Sequence, residues 1–400
     1  MSPLRRLNAL ARLVMQRCDA LGKISEAPGL LTRMFASPAM RRANQLVGAW
    51  MRAAGLHVRE DAAFNLLGRW PGANPKAKTL LLGSHLDTVR DAGKYDGPLG
   101  VLTAVAAAQL LRERGVKLPF HLEIAGFSDE EGVRYQTAYL GSGALAGALT
   151  ADDRGRIKEK QIVKARRRLG EFLGYAEVHI EQGPVLEKNN LPVAVVAAIA
   201  GQSRLRVEFH GVAGHAGTVP MNLRRDALVG AAEFVASVSS LASKSTGLVA
   251  TVGQIEAAPG ASNVIPGRVT LTLDVRHQSD SGRLTAVRAL RAKAGTIARR
   301  RKLKLIWTAM QQTAAVRCDR RLTRILSRCV GQRGLEVLKL SSGAGHDAVA
   351  LSNLCPVAML FVRCKDGISH HPAEAVKTGD VAIAIGVLAD FIQAVASRHA

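Results

Sequence analysis

The sequence predicts an α/β fold in which a discontinuous α/β domain carries an inserted α+β domain. Up to about residue 200, apolar runs typical of buried strands alternate with stretches of helical spacing, which favours a sheet with helices on its faces. From about residue 203 the order becomes strand, helix, strand, strand, helix, strand, and beyond roughly residue 315 the alternation resumes. We therefore assign residues 1–202 and 316–400 to one domain and residues 203–315 to the inserted domain.

Four elements of the first domain follow from their side chains. The segment KTLLLGS (78–84) is a predicted buried strand that ends at His85. Residues 97–115 place apolar side chains at helical spacing and end in charges and a Gly, so they predict a helix. FHLEIAGF (120–127) and PVAVVAAIA (192–200) are two further strands. Open α/β sheets bind ligands where such strands run out into loops, so we expect functional residues there.

The inserted domain has the βαββαβ order of a ferredoxin-like fold. Its predicted elements are a strand at 204–214, a helix near 225–243, strands at 247–257 and 268–277, a helix near 281–298 and a strand at 302–310. Its sequence holds no cluster of metal-ligand residue types.

The composition is ordinary for a globular protein. Of 400 residues, 48% are hydrophobic and 22% are charged, and we expect no apolar run of the roughly 18 residues that a membrane span needs. The basic N-terminus predicts a first amphipathic helix and not a secretory signal, with a mitochondrial presequence as the alternative. Five scattered cysteines without a C-x-x-C pair favour reduced, buried thiols and a cytoplasmic location.

The formal net charge of +23 is the unusual global property. Basic residues cluster at 164–170, 298–305 and 317–328, which raises the possibility of a nucleic-acid partner. Only 4% of the residues are aromatic, which leaves few platforms for base stacking, and no zinc-finger or RNP-like motif is present. We therefore predict a basic surface that aids solubility and attracts small anions, with no nucleic-acid partner and no membrane partner.

Five short segments carry His and acidic residues next to Gly, Ser or Pro turns. They are GSHLDTV (83–89), YDGPLGV (95–101), SDEEG (128–132), VHIEQGP (178–184) and GISHHPAE (367–374). Imidazoles mixed with carboxylates suit zinc or manganese. The candidate ligands are His85, Asp96, Glu131, His179 and His370, and Glu130 beside them is a candidate base.

Two of these segments suggest a geometry. His85 and Asp87 are two residues apart, so on an extended strand the Asp87 carboxylate could accept the second ring N–H of His85 and fix its tautomer. Asp96 precedes a predicted helix, where it is either an N-cap or a carboxylate that bridges two cations. A strand-end turn, a surface pair of acids or a structural histidine would explain each segment taken alone.

Together, the segments are similar to the metallopeptidase-type amidohydrolases of the M20 group, and more narrowly to allantoate amidohydrolases and N-carbamoyl-L-amino acid hydrolases. The similarity extends from about residue 60 to about residue 385. It implies two divalent metal ions, Zn²⁺ or Mn²⁺, with Glu130 as general base and Asp87 as the catalytic residue of the H-x-D motif. The implied metal ligands are His85, Asp96 (bridging), Glu131, His179 and His370.

The resemblance also implies substrate contacts. His215 would stabilise the oxyanion, while Asn263 and Arg276 would hold a carboxylate, which an Arg fork suits; a surface salt bridge is the alternative for Arg276. Further pocket residues would be Gln182, Gly345 and His346. The inserted domain would act as a lid and as the dimer contact, so we expect a homodimer.

The implied reaction is hydrolysis of a ureido C–N bond in a small anionic substrate. The segments GHAGTVPM and SGAGHDA resemble those of allantoate amidohydrolases, whose reaction yields ureidoglycine, ammonia and carbon dioxide. N-carbamoyl-L-amino acids and β-ureidopropionate remain alternatives, because every one of these compounds carries a carboxylate. A basic binding protein on a degenerate hydrolase scaffold is the alternative from another class, and the complete ligand set argues against it.

Overall fold

The computed structural model describes residues 3–398. The chain divides into two compact units. The first comprises the residues up to Ala197, Cys318–Leu340 and the residues from Ala344 onwards, and the second comprises Ala198–Arg317 and Ser341–Gly343. The predicted inserted domain, residues 203–315, lies within the second unit.

Fifteen strands occur within residues 3–398. They are β1 His57–Glu60, β2 Leu66–Trp70, β3 Thr79–His85, β4 His121–Phe127, β5 Phe172–Ile180, β6 Val193–Ile199, β7 Gly201–His210, β8 Gly214–His215, β9 Leu248–Ala258, β10 Val264–Ile265, β11 Arg268–His277, β12 Lys304–Thr313, β13 Val316–Arg317, β14 Lys339–Ser342 and β15 Val357–Val362.

The same part of the chain forms eleven α-helices. They are α1 Pro3–Gly22, α2 Pro38–Ala53, α3 Pro98–Glu113, α4 Leu140–Ala146, α5 Ala151–Arg156, α6 Val185–Lys188, α7 Ala227–Ser243, α8 Asp280–Arg300, α9 Arg320–Gly331, α10 Asp347–Leu351 and α11 Thr378–Ala396.

The centre of the first unit is a sheet whose inner strands are parallel. β3 pairs parallel with β4 and with β5, and β5 pairs parallel with β15. Antiparallel strands flank this centre, with β2 beside β4, β1 beside β2, and β6 beside β15. Because parallel strands run in one direction, the carboxyl ends of β4, β3, β5 and β15 meet at one edge of the sheet. This edge is where an open α/β sheet binds its ligands.

Apolar helices cover this sheet. α3 packs on β3 and β5 and against α1 and α11, and every residue from Pro98 to Ala108 is buried. α11 is the one helix within the described residues that is long and apolar enough to cross a membrane by length and composition, although Asp380 and Asp390 interrupt its apolar run. However, 67% of its apolar window is buried inside the fold, as in a helix that belongs to a protein core. All five cysteines are buried and free, as predicted.

The second unit contains a four-stranded antiparallel sheet in the order β12-β7-β11-β9. Along β7, buried Leu205, Val207 and Phe209 alternate with exposed Arg204 and Arg206. This period of two places one apolar face against α7 and α8, which pack on the sheet. The short strands β8 and β10 form a separate ladder.

Candidate metal centre

The carboxyl ends of the central strands of the first unit position the predicted ligands. His85 is the last residue of β3, and His179 is the last but one of β5. Glu130 and Glu131 follow β4, and Asp96 lies just before α3. His370 lies in the loop between β15 and α11.

Two groups of potential ligands share Asp96. His85, Asp96 and His179 form the first group, and Asp96, Glu131 and His370 form the second; the ligand atoms of each group lie within 4.8 Å of one another. Asp96 Oδ1 lies 3.1 Å from His179 Nε2 and 3.8 Å from His85 Nε2, whereas Asp96 Oδ2 lies 3.1 Å from His370 Nε2. The two oxygens of one carboxylate therefore face different groups, which is the arrangement that a bridging ligand requires.

The ring nitrogens of the first group point their lone pairs at a common centre. His85 Nδ1 lies 3.1 Å from the carbonyl of Asp87, and His179 Nδ1 lies 3.0 Å from the carbonyl of Ile180. Because carbonyls only accept, we assign one ring proton to each Nδ1, so the two Nε2 atoms, 3.5 Å apart, are the positions that must be free of protons when a cation binds. Asp96 Oδ1 beside them is buried without a hydrogen bond from the described residues. Two imidazole nitrogens and a carboxylate oxygen that converge in this way fit a cation once the rings have lost their Nε2 protons.

Contrary to the prediction from the sequence, the carboxylate of Asp87 does not accept the ring N–H of His85. The carboxylate lies 3.7 Å from His85 Nδ1, and the N–H of that ring donates instead to the backbone carbonyl of Asp87. The carboxylate accepts the backbone N–H groups of Glu130 and Glu131, at 3.1 and 3.2 Å. The prediction was wrong because β3 ends at His85, so the extended geometry that puts residues i and i+2 on one face no longer applies.

Glu130 lies beside the first group as a candidate base. One oxygen of Glu130, one of Glu131 and a nitrogen of His85 lie within 4.8 Å of one another. Burial raises the pKa of Glu130 well above its ordinary value; the charge of His85 opposes this rise and that of Glu131 adds to it. A carboxylate with a raised pKa is suited to take a proton and to deliver it again.

The charged forms of Asp96 and of the histidines around it stabilise one another. Burial by itself would raise the pKa of Asp96, but the protonated rings of His179, His370 and His85 beside its oxygens hold that pKa well below its usual range. The hydrogen bonds of His370 with Asp96 and Glu131 raise the pKa of its ring to about 10. Protons on these imidazoles offset the carboxylate charge when no cation is bound, so cation binding must release protons.

His370 lies in a loop with an unusual backbone. Its φ angle of 56° falls in the left-handed region, and 48% of its side chain is exposed, compared with 2% for His85 and His179. The preceding Ser369 donates from Oγ to Asp96 Oδ2 at 2.9 Å. Local hydrogen bonding therefore orients the second oxygen of the bridging carboxylate toward this loop.

Gln182, predicted to bind substrate, contacts the same carboxylate. Its Nε2 lies 3.1 Å from Asp96 Oδ2 and 3.0 Å from Ser369 Oγ. Its Oε1 is buried and accepts no hydrogen bond from the described part of the chain. The side chain thus supports Asp96 and keeps one acceptor available.

Three residues that the sequence analysis missed support the centre. Glu374 Oε2 accepts the backbone N–H groups of Tyr95 and Asp96, at 2.7 and 3.0 Å. Gly97 has a φ of 82°, and a Cβ there would lie 2.5 Å from the ring of His85, so this position requires glycine. Glu374 is the last residue of the GISHHPAE segment (367–374), whereas no local pattern marks Gly97.

Arg33, a fully buried arginine, is the third supporting residue that the sequence analysis missed. Its guanidinium donates to the carbonyls of Leu86, Leu21 and Ile24, at 2.6, 2.9 and 3.2 Å. Burial lowers the pKa of Arg33 to about 10, while the charge of Asp87 opposes the shift. These contacts hold the turn that follows His85.

Gly345 and His346 lie at the start of α10. The ring of His346 packs edge-on against that of His179, with 4.5 Å between centroids. Burial and the charge of His179 lower the pKa of His346 well below its ordinary value. A Cβ on Gly345 would lie 1.7 Å from Tyr139 Oη, so close packing explains the glycine without a substrate contact.

The other predicted substrate residues lie in the second unit. His215 in β8 accepts the N–H of Gly217 on Nδ1 at 3.0 Å, which leaves Nε2 as the donor of the neutral ring. Asn263 is adjacent, because its carbonyl accepts the N–H of Ala216 at 2.9 Å.

Arg276 on β11 is already engaged within the second unit. It donates to Asp274 at 2.9 and 3.1 Å and to the carbonyl of Gly343 at 2.6 Å. A surface salt bridge was the alternative to a substrate contact for Arg276, and the structure contains such an ion pair between Arg276 and Asp274.

Comparisons with known proteins agree with this geometry. A profile of peptidase family M20/M25/M40 matches residues 81–394, a range that includes all five candidate ligands. The chain is 43% identical to allantoate deiminase 2 of Glycine max, over 91% of this chain and 85% of that protein. It is 40% identical to the N-carbamoyl-L-amino acid amidohydrolase of Geobacillus stearothermophilus, over 93% and 95%. The fold is similar to the crystal structure of an amidase of the hydantoinase/carbamoylase family from Burkholderia multivorans, with a TM-score of 0.90 and 29% sequence identity. This match covers 96% of the present chain and 98% of the amidase chain. The chain belongs to peptidase family M20/M25/M40.

Proposed function

We propose that this protein is a metal-dependent amidohydrolase that cleaves a carbamoyl C–N bond of a small ureido acid. The observation that carries the proposal is the pair of ligand groups joined by Asp96, with the buried carboxylate of Glu130 beside them. The family is metal-dependent, and we propose two ions, Zn²⁺ or Mn²⁺, one for each group. Relatives named allantoate deiminase and N-carbamoyl-L-amino acid amidohydrolase support the class of substrate.

We propose allantoate as the substrate and ureidoglycine, ammonia and carbon dioxide as the products. Bound cations would lower the pKa of a water molecule and polarise the carbonyl of the scissile group. Glu130 takes the proton as the water oxygen attacks the carbonyl carbon, and it delivers that proton to the leaving nitrogen as the C–N bond breaks. The carbamate formed in this step then decomposes at its remaining C–N bond, so that one ammonia and one carbon dioxide are released for each ureidoglycine. Asp87 holds the backbone of Glu130 during both transfers.

For the second unit we propose the role of a ferredoxin-like lid and dimerisation domain in a cytoplasmic homodimer. The element order β7-α7-β9-β11-α8-β12 supports the fold assignment. His215 would donate to the oxyanion through Nε2, and Asn263 and Arg276 would bind the substrate carboxylate. These roles rest on the resemblance of the motifs.

N-carbamoyl-L-amino acid hydrolysis is the second candidate, because the carbamoylase relative is nearly as similar as the deiminase, at 40% identity compared with 43%. The test is ammonia release from allantoate, N-carbamoyl-L-amino acids and β-ureidopropionate, after reconstitution with Mn²⁺ or Zn²⁺ and with Glu130→Gln as the inactive control. We expect the highest kcat/KM on allantoate. A preference for N-carbamoyl amino acids would establish the second candidate. Salt-dependent DNA binding without turnover of any ureide would reject both.

A further inference from the structure

Glu177 lies behind the ligand histidines and takes no part in the chemistry proposed above. It is on β5 two residues before His179, so the two side chains share one face of the strand. Its relative exposure is 1%. A carboxylate with so little access to water is costly unless its oxygens accept hydrogen bonds.

Each oxygen of Glu177 accepts from a different part of the chain. Oε1 accepts the hydroxyl of Ser84 at 3.1 Å, and Ser84 is the residue before His85. Oε2 accepts the backbone N–H of Ala348 at 3.2 Å, in the first turn of α10. The N-cap of that helix is His346. One buried carboxylate thus joins the end of β3 to the start of α10.

The rings of His85 and His346 both lie next to the ring of His179, with 5.7 and 4.5 Å between ring centroids. A nitrogen of His179, a nitrogen of His346 and an oxygen of Glu177 lie within 4.8 Å of one another. The other side of His346 packs against Phe361, with 5.9 Å between ring centroids. Because His346 is enclosed on both sides, a displacement of the first turn of α10 would press its ring on His179 or leave a gap beside it.

We propose that Glu177 is a positioning residue that fixes His85 through Ser84 and fixes His346 through Ala348. Metal affinity and substrate affinity then both depend on this carboxylate, although Glu177 belongs to neither of the two ligand groups that Asp96 joins. The substrate half of this inference rests on the proposed function, and the metal half rests on the ligand geometry alone.

The test compares Glu177→Ala, Glu177→Gln and Ser84→Ala with a matched control, Glu336→Ala. Glu336 is exposed and makes no side-chain hydrogen bond or ion pair within residues 3–398. The readouts are Zn²⁺ affinity by competition with a chromogenic chelator, KM and kcat on allantoate and the N-carbamoyl amino acids, and thermal unfolding.

We expect Glu177→Ala to weaken Zn²⁺ binding and to raise KM, each by about 10-fold or more, because loss of an outer partner of a metal ligand typically costs about 10–100-fold. Glu177→Gln should remain within about 3-fold of wild type, since an amide can accept from Ala348 and donate to the hydroxyl oxygen of Ser84. Ser84→Ala should weaken Zn²⁺ binding and leave KM unchanged.

Wild-type Zn²⁺ affinity and KM in a folded Glu177→Ala protein would overturn the inference, as would equal damage in the Gln and Ala variants. If Glu177→Ala does not fold, Ser84→Ala decides, and an unchanged Zn²⁺ affinity in that variant overturns the inference. If wild type turns over no ureide, the proposed function fails, while the Zn²⁺ affinities still test the role of Glu177.

Discussion

The carboxylate of Asp87 accepts the backbone N–H of Glu130, with 3.1 Å between Oδ1 and the amide nitrogen. Its second oxygen accepts the N–H of Glu131, and its own carbonyl accepts from His85 Nδ1. Asp87 is 1% exposed, so water does not substitute for these contacts. One aspartate thereby fixes the backbone of a candidate base, the backbone of a candidate ligand and the tautomer of a second ligand.

Asp87→Asn should lower kcat by about 10–100-fold while the metal content stays at the wild-type level. The amide nitrogen of asparagine would face one of the two backbone N–H donors, so one of the glutamates would lose its support. Steady-state kinetics and elemental analysis on the same preparation measure both quantities. Asp19→Asn is the control, because Asp19 is half-exposed and, among residues 3–398, its carboxylate forms an ion pair with Lys94 alone. Wild-type kcat in Asp87→Asn would show that the contact is dispensable.

Glu130→Gln should retain bound metal and lose at least about 100-fold in kcat, the usual scale for a general base. Glutamine keeps the size of the side chain but cannot take a proton. Metal analysis and ammonia release test the two parts of this prediction. Near-normal turnover would remove Glu130 from the mechanism.

His370→Ala and Asp96→Ala should differ in the amount of metal they retain. His370 belongs to one ligand group, whereas Asp96 belongs to both. After equilibrium dialysis against Zn²⁺, we expect about one ion per chain in His370→Ala and close to none in Asp96→Ala. Equal metal contents in the two variants would contradict a bridging role for Asp96.

Arg33→Ala should lower the free energy of unfolding by about 2–4 kcal/mol, because it removes a fully buried side chain whose guanidinium donates to the carbonyls of Leu86, Leu21 and Ile24. Urea denaturation followed by tryptophan fluorescence measures this change. Arg90→Ala is the matched control, since Arg90 is exposed and makes no ion pair among the residues described, and its effect should stay within about 0.5 kcal/mol. A similar midpoint for the two variants would show that the buried hydrogen bonds of Arg33 add little stability.

Asp129 gives the metal-free protein a specific pH dependence. Burial and the charge of Asp87 raise the pKa of Asp129 to about 8, and neither of its oxygens accepts a hydrogen bond from residues 3–398. The folded state therefore holds a proton that the unfolded chain releases near pH 4, so its contribution to stability is complete below about pH 4 and is lost as the pH rises to about 8.

Asp129→Asn removes this proton. In EDTA, the fall in melting temperature between pH 5 and pH 8 should be smaller in Asp129→Asn than in wild type. Thermal unfolding at the two pH values measures it. If the melting temperature falls equally in both proteins, a titrating group other than Asp129 dominates the pH dependence of stability.

The sequence predicted the strands whose composition is simple. β3 and β4 are short and apolar, and they lie within one residue of the predicted segments at 78–84 and 120–127. β5 was missed, because Glu177 and His179 interrupt its apolar pattern. Only its parallel pairing with β3 and β15 shows why such polar residues are buried in the middle of a sheet.

The five candidate ligands could be identified because metal binding demands particular residue types beside turns. Their supports could not, because the partners are distant in sequence. Arg33 reaches Leu86 across 53 residues, and Glu177 reaches Ala348 across 171 residues. Such contacts depend on how the chain folds back on itself, and no local pattern records them.

The unequal exposure of the ligand rings has a consequence for metal exchange. His85 and His179 are enclosed, whereas nearly half of His370 is open to solvent. An ion held by His370 is expected to leave and return faster than its neighbour, so its identity should follow the cations dissolved around the protein. In a medium with more than one divalent metal, the expected population is heterobinuclear, with a slowly exchanging inner ion and a variable outer one.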